Sequence, residues 1–387
     1  MTRSLDLTRR FLLGASAAGV SLAFAGQTGA QSAAGPRNKL VVVIARGAMD
    51  GLSVIVPHDD ANYRPLRGAL AIEDSLPVSD GFGLHPSLAG LHALHGQGQM
   101  RFAAAVAIPV RVRSHFDAQD VLENGGEGLR QQTDGWLNRA LAATGGLKGL
   151  SIGAQTPLIL RGSTATSSWA PGGKTGSEGR IASLLQDLYV EDRLLAENLA
   201  AGLQTEAQAM AMGGDARLAR NDVAGLGQAV ARLMAGPDGA DLVALSVDGW
   251  DTHARQVSQL QARLTGLDQV VSGLRTGLGK DWSQTVVVIA TEFGRTARAN
   301  GTGGTDHGTG SALLMAGGAL KPGGMIGDWP TLNENRLFEA RDLAPTADVR
   351  SVFKAVLRDH LGVSRAALDN SVFPASASQA PSQEGLF

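Results

Sequence analysis

The sequence predicts an α/β fold: a doubly wound, mostly parallel sheet with helices on both faces and a helical insertion. Three observations carry that expectation. Apolar runs at Lys39–Ala45, Met100–Ala107, Asp241–Val247 and Thr285–Ala290 lack in-out alternation, so they read as strands buried on both faces. Amphipathic stretches with three- and four-residue steps lie between them, as crossover helices would. The chain has 387 residues, 43% hydrophobic and 18% charged, which is enough to bury a sizeable core.

Composition excludes several function classes. A net charge of −2 gives no reason to expect nucleic acid as a partner. Cysteine is absent, which removes disulfides, thiolate nucleophiles and Cys-type zinc sites. Residues 1–30 read as an address. Thr8-Arg9-Arg10-Phe11-Leu12-Leu13 is a twin-arginine pattern, and the Ala/Gly-rich stretch to Ala25 is too short and too weakly apolar for a membrane span. Small-residue cleavage points follow at Ala23-Phe24-Ala25 and Thr28-Gly29-Ala30. The expected partner during export is the twin-arginine translocase, and the expected location is the periplasm or beyond. No later apolar run is long enough to span a bilayer, so no stable membrane insertion is expected.

In chain order, the Lys39–Ala45 strand runs into Arg46-Gly47-Ala48-Met49-Asp50, an acid just past its carboxyl end. Residues 53–82 read as irregular, broken by Pro57, Pro65 and Pro77. An amphipathic helix opens at His85-Pro86 and runs to about Leu94. After Met100–Ala107 come Arg111, Arg113, Ser114, His115 and Asp117. Ser114 has two compatible readings, a helix N-cap with Asp117 three residues on, or a nucleophile in the positive end of a helix dipole. Arg113 would add charge for an anionic substrate, and His115 can shuttle a proton.

A short helix is expected at 134–143 and a short strand at Pro157–Leu160. Pro171–Thr175 mimics a phosphate loop, but Ser168 stands where that motif needs glycine. Helical periodicity over 178–235 gives the insertion. Asp241–Val247 ends in Asp248, Asp251 and His253, which suit a hard or borderline divalent ion; alternatively, Asp251 caps the helix running to about Leu278. Thr285–Ala290 is followed by Glu292 and Arg295, and a glycine-rich loop then delivers Asp306 and His307 before another strand, Ser311–Ala316. Thr346–Leu361 is expected as the last helix and the tail after Pro374 as loose. His58, His92, His95 and His360 are expected at the surface, with His85 a weak outsider for the site.

Three apolar runs thus end in a carboxylate, Asp50, Asp248 or Glu292, and parallel strands bring such ends to one edge. Crowded carboxylates repel unless a cation or protons neutralise them, and a divalent metal (Zn, Mn, Mg or Ca) is the simplest resolution and the expected cofactor.

The motifs RGAMDGL, RSHFDAQD, DGWDTH, TEFGRT and GTDHG, behind a twin-arginine signal, resemble the exported bacterial family called domain of unknown function 1501. That resemblance spans nearly the whole mature chain, 31–387. It implies an alkaline-phosphatase- and sulfatase-like fold, divalent metals, and a small anionic ester as substrate. Ser114 is similar to the superfamily's nucleophile. Asp50, Asp248 or Asp251 with His253, and His307 look like its metal ligands; in the mechanism this implies, Glu292 and Asp306 would join Asp50 at one metal, and Arg113 or Arg295 would hold the non-bridging oxygens. One departure stands out: the superfamily's Asp-His after this strand is Glu292-Phe293 here. The resemblance therefore implies either a metal-dependent phosphate- or sulfate-ester hydrolase, or a non-catalytic binding or assembly protein with a degenerate site. An oxidoreductase is disfavoured because no G-x-G-x-x-G follows the first strand.

Overall fold

The computed structural model describes residues 37–153, 155–171 and 223–387, with positions 189, 192, 196, 199, 200 and 203 between them. The expected signal segment, most of the expected insertion and most of the phosphate-loop mimic lie outside the described residues. The strands of the main sheet are β1 (Lys39–Arg46), β2 (Met100–Ala107), β3 (Gly149–Ile152), β4 (Thr166–Trp169), β5 (Leu242–Asp248), β6 (Thr285–Ala290), β7 (Ser311–Ala316) and β8 (Ala347–Asp348). Their order is β8-β2-β7-β6-β1-β5-β3-β4. All neighbouring pairs are parallel except those of β7, which runs antiparallel to both β2 and β6.

Alternate residues of β1 feed two separate cores, the condition for a doubly wound sheet. Leu40, Val42 and Ile44 pack with α2 (His115–Asn124), α3 (Trp136–Thr144) and α6 (Val349–Ala355), through Val121, Trp136, Leu141 and Phe353. Val41, Val43 and Ala45 pack with α1 (Ala89–Gly96), α4 (Val223–Met234) and α5 (Gln256–Leu278), through Leu91, Val230, Leu264 and Val271. Each fully buried Val, Leu, Ile or Phe among them contributes roughly 1.5–3 kcal/mol over its exposed state. Among the described residues, no helix is long and apolar enough to cross a membrane.

Three expectations need correction. Pro157–Leu160 is not a strand: Leu158–Leu160 forms a 3-10 turn, since Pro157 removes a ladder donor. The strands at that end of the sheet are β3 and, at the edge itself, β4, a polar TSSW run without an apolar signal. The tail after Pro374 is packed, with Ala380 and Leu386 buried and the Gln383 N–H donating to the Ser351 carbonyl at 3.0 Å. His360 is buried too, its Nε2 3.0 Å from the Lys39 carbonyl and its ring stacked on Phe387.

β7 matters most for the site. Because it runs against its neighbours, its first residue lies at the edge where the parallel strands end. The loop carrying Asp306 and His307 therefore arrives at the same edge as Asp50, Asp251 and Glu292.

A candidate metal centre at the carboxyl edge

Three imidazoles and one carboxylate meet at this edge. His115 Nε2 lies 3.1 Å from His307 Nε2, and His253 Nε2 lies 3.1 Å from the same atom. Asp251 Oδ1 is 2.9 Å from His253 Nε2 and 3.2 Å from His307 Nε2, and Asp251 Oδ2 is 3.5 Å from His115 Nε2. Ligand atoms of His115, Asp251 and His307 all lie within 4.8 Å of one another.

The opposite nitrogen of each ring has an acceptor. His115 Nδ1 faces Glu292 Oε1 at 2.8 Å, His307 Nδ1 the Arg113 carbonyl at 2.8 Å, and His253 Nδ1 faces Asp306 Oδ1 at 3.3 Å. In a neutral imidazole only one nitrogen carries the proton; the nearer acceptor assigns it to Nδ1 in His115 and His307, and to Nε2, facing Asp251, in His253. The Nε2 lone pairs of His115 and His307 then face each other at 3.1 Å with no proton between them. That repulsion is relieved by a cation. Two nitrogens bound to one tetrahedral zinc, each about 2.0–2.1 Å from it, would stand about 3.3 Å apart, close to the separations here.

Local sequence explains the placement. The α5 helix begins only at Gln256, after Arg255 in a left-handed conformation, so Asp251 does not cap it. The loop ahead of α5 is thereby free to turn Asp251 and His253 inward. Gly47, at φ +116°, packs on the Asp251 backbone, where a Cβ would come within 2.7 Å of the Asp251 nitrogen. Its N–H donates to Glu292 Oε1 at 2.9 Å. Gly304 likewise abuts the His253 backbone, which a Cβ would meet at 2.3 Å. Phe293 stacks on His115 with centroids 4.9 Å apart and lies 5.2 Å from His307. It forms an apolar floor beneath both rings.

The remaining candidates surround this cluster. Glu292 is fully buried and already accepts from Gly47, Gln119 at 2.9 Å and Thr291 at 3.0 Å, besides meeting His115. Burial pushes its pKa up, but these hydrogen bonds win and hold it below the usual range. It is the His115 backstop, as Asp306 is for His253. The Glu292 hydrogen bond in turn raises the His115 pKa against the effect of burial. Burial lowers that of His307. Arg295 is buried and donates to Asp251 Oδ1 at 2.5 Å; despite partial burial, that contact and charge keep the Asp251 carboxyl low.

Asp50 stands apart. It is buried, and its Oδ2 meets Arg67, Gln256 and Ser53, the last at 2.8 Å. Asp248 is exposed and lines a different cleft. Ser114 is exposed and caps α2 through a long, 3.5 Å contact with the Asp117 N–H. Arg113 is committed to Glu339 at 2.6 Å and Asp342 at 2.8 Å. His85 is engaged with the Ser87 N–H at 3.0 Å, in the segment ahead of α1. Sequence reasoning missed Arg67 and Gln256, lone polar residues in segments without any motif.

Fold and cluster together define an α/β protein with an imidazole–carboxylate centre at the carboxyl edge of its sheet. The chain belongs to the family described as "Protein of unknown function (DUF1501)", whose model matches residues 37–371. No curated protein matches the sequence. Among solved structures, it is similar to the phosphonate monoester hydrolase of Agrobacterium radiobacter (9% identity, 85% of this chain and 74% of that one, TM-score 0.40). It is also similar to the zinc complex of the C-terminal periplasmic domain of EcEptC from Escherichia coli (10%, 88% and 87%, 0.40) and to alkaline phosphatase from the Antarctic bacterium TAB5 (12%, 73% and 92%, 0.37). Likenesses this distant carry no argument about site or activity.

Proposed function

We propose that the protein is an exported, metal-dependent hydrolase of phosphate or sulfate esters, delivered to the periplasm by its twin-arginine segment. The observation that carries this reading is the convergence of three imidazole Nε2 atoms around the Asp251 carboxylate, each ring held from behind at Nδ1. His115, His307 and Asp251, with His253 beside them, would hold one ion. A nitrogen-and-oxygen donor set of this kind suits zinc best. When bound, such an ion supplies Lewis acidity toward an ester oxygen and lowers the pKa of a neighbouring hydroxyl.

The chain's own groups do the rest. Ser114 sits between Arg113, whose carbonyl faces His307, and His115, whose ring belongs to the centre. Its hydroxyl lies at the N-terminus of α2, where backbone N–H groups favour an anion. In the proposed reaction Ser114 Oγ bonds phosphorus or sulfur as the ester bond breaks, and its proton leaves with the alcohol. Water then displaces Ser114 and releases the inorganic anion. Arg113 and Arg295 position rather than bind substrate: one is paired with Glu339 and Asp342, the other with Asp251. Asp50 is neutralised by Arg67, which favours a single ion over two.

The test is hydrolysis of 4-nitrophenyl phosphate and 4-nitrophenyl sulfate by protein isolated from the periplasm. Activity lost in both Ser114→Ala and His307→Ala is expected. Activity that survives Ser114→Ala removes the nucleophile. An inactive wild type that still carries one metal ion supports instead a binding or assembly protein with a structural ion.

A further inference from the structure

A polar cleft of about 580 Å³ opens beside α2, lined from that helix by Phe116, Gln119, Asp120 and Glu123. That volume lies within the range of small-molecule sites, roughly 300–1,000 Å³. The ligand atoms of the centre do not line it, yet the two are joined. His115 turns to the centre and the next residue, Phe116, to the cleft. Gln119 spans both, donating to Glu292 at 2.9 Å and accepting from Arg46 at 2.7 Å.

The cleft's chemistry restricts its occupant. Its charged lining groups are two arginines, Arg46 and Arg161, against three acids, Asp120, Glu123 and Asp248. Arg46 is neutralised by Glu123. A polyanion would meet net negative charge here and is disfavoured. The exposed Asp248 carboxylate makes no hydrogen bond or ion pair among the described residues, and Gln155, Thr156 and Ser246 add side chains that bond hydroxyls. At the rim, Phe116 is 88% exposed, the most exposed large apolar side chain among the described residues. An aromatic face beside carboxylates and amides complements a ring with one apolar C–H face and an equatorial fringe of hydroxyls.

We propose that this cleft binds the neutral, hydroxyl-rich alcohol portion of the ester, a saccharide, while the anionic group lies at the neighbouring centre. Its purpose rests on the hydrolytic reading, but its recognition chemistry does not. The test is therefore binding. Calorimetric titration of the full mature protein uses neutral malto- and cello-oligosaccharides, with a heparin oligosaccharide as the polyanionic comparison. Neutral saccharide binding that weakens about tenfold in both Phe116→Ala and Asp248→Asn, and persists in His307→Ala, is expected. Both cleft variants alter exposed side chains, so circular dichroism should match wild type. No neutral saccharide binding by wild type, binding unchanged in the two cleft variants, or preference for heparin each overturns the proposal. A protein that binds saccharide yet hydrolyses no ester supports the cleft and contradicts only the catalytic reading.

Discussion

Asp50 and Asp251 follow neighbouring strands of one sheet and end in opposite electrostatic situations. Asp50 is buried, and the protein supplies its cation, Arg67, together with Ser53 and Gln256. Asp251 is exposed, and its Oδ1 faces one guanidinium and the Nε2 atoms of His253 and His307. A buried bridge links the two acids. Gln256 touches Asp50, Thr305 donates to Gln256 at 2.7 Å, and Arg295 donates to Thr305 at 3.1 Å and then to Asp251. The difference teaches which acids remain free for a metal. A carboxylate saturated by protein donors is structural, however suggestive its position after a strand.

The sharpest way to break this comparison is Asp50→Ala. It should strand the Arg67 charge and cost about 3–5 kcal/mol in urea unfolding. Metal content of the folded fraction should stay at wild-type level. Loss of metal without loss of stability would return Asp50 to the ligands. Next in size is Glu292→Gln, which weakens the His115 backstop. We expect metal affinity, measured by competition with a chromophoric chelator, to fall about 10–100-fold. Unchanged affinity would deny Glu292 that role.

Ser114→Ala removes a cap whose hydrogen bond is already long, so its stability cost should sit near the low end of roughly 0.5–2 kcal/mol. A large loss in thermal unfolding would make Ser114 mainly structural.

The smallest effect comes from outside both regions. Burial lowers the His360 pKa below its ordinary 6.5, and the hydrogen bond to Lys39 only partly opposes this. The folded state thus favours the neutral ring. Its stability contribution is full above 6.5 and lost as pH falls from there through the folded value. His360→Gln should flatten that slope in the metal-free protein, and an unchanged slope would locate it elsewhere.

Much of this was legible in the sequence, for identifiable reasons. β1, β2, β6 and β7 are dominated by apolar runs, broken in β2 only by Arg101, as burial on both faces of a sheet demands. β4 sits at the sheet edge with a polar TSSW sequence, so periodicity had nothing to detect. At the site, His115, Asp251, His253 and His307 were all marked by position after strands or at a helix start. Their division of labour was not. Glu292 and Asp251 look alike in sequence, yet one backs an imidazole while the other joins the cluster. Arg67 and Gln256 carried no local signal, because Gln256 meets Asp50 across 206 residues of chain. Only the fold creates that contact.

The central claim is tested most directly by metal content. Protein purified from the periplasm without chelator should be measured by inductively coupled plasma mass spectrometry, beside His115→Ala/His307→Ala and Asp50→Asn variants. One equivalent of a divalent ion, zinc first, is expected in wild type and Asp50→Asn and absent from the double variant. A folded wild type without metal, or a double variant that retains it, would contradict the assignment of the three imidazoles and Asp251 as a metal centre.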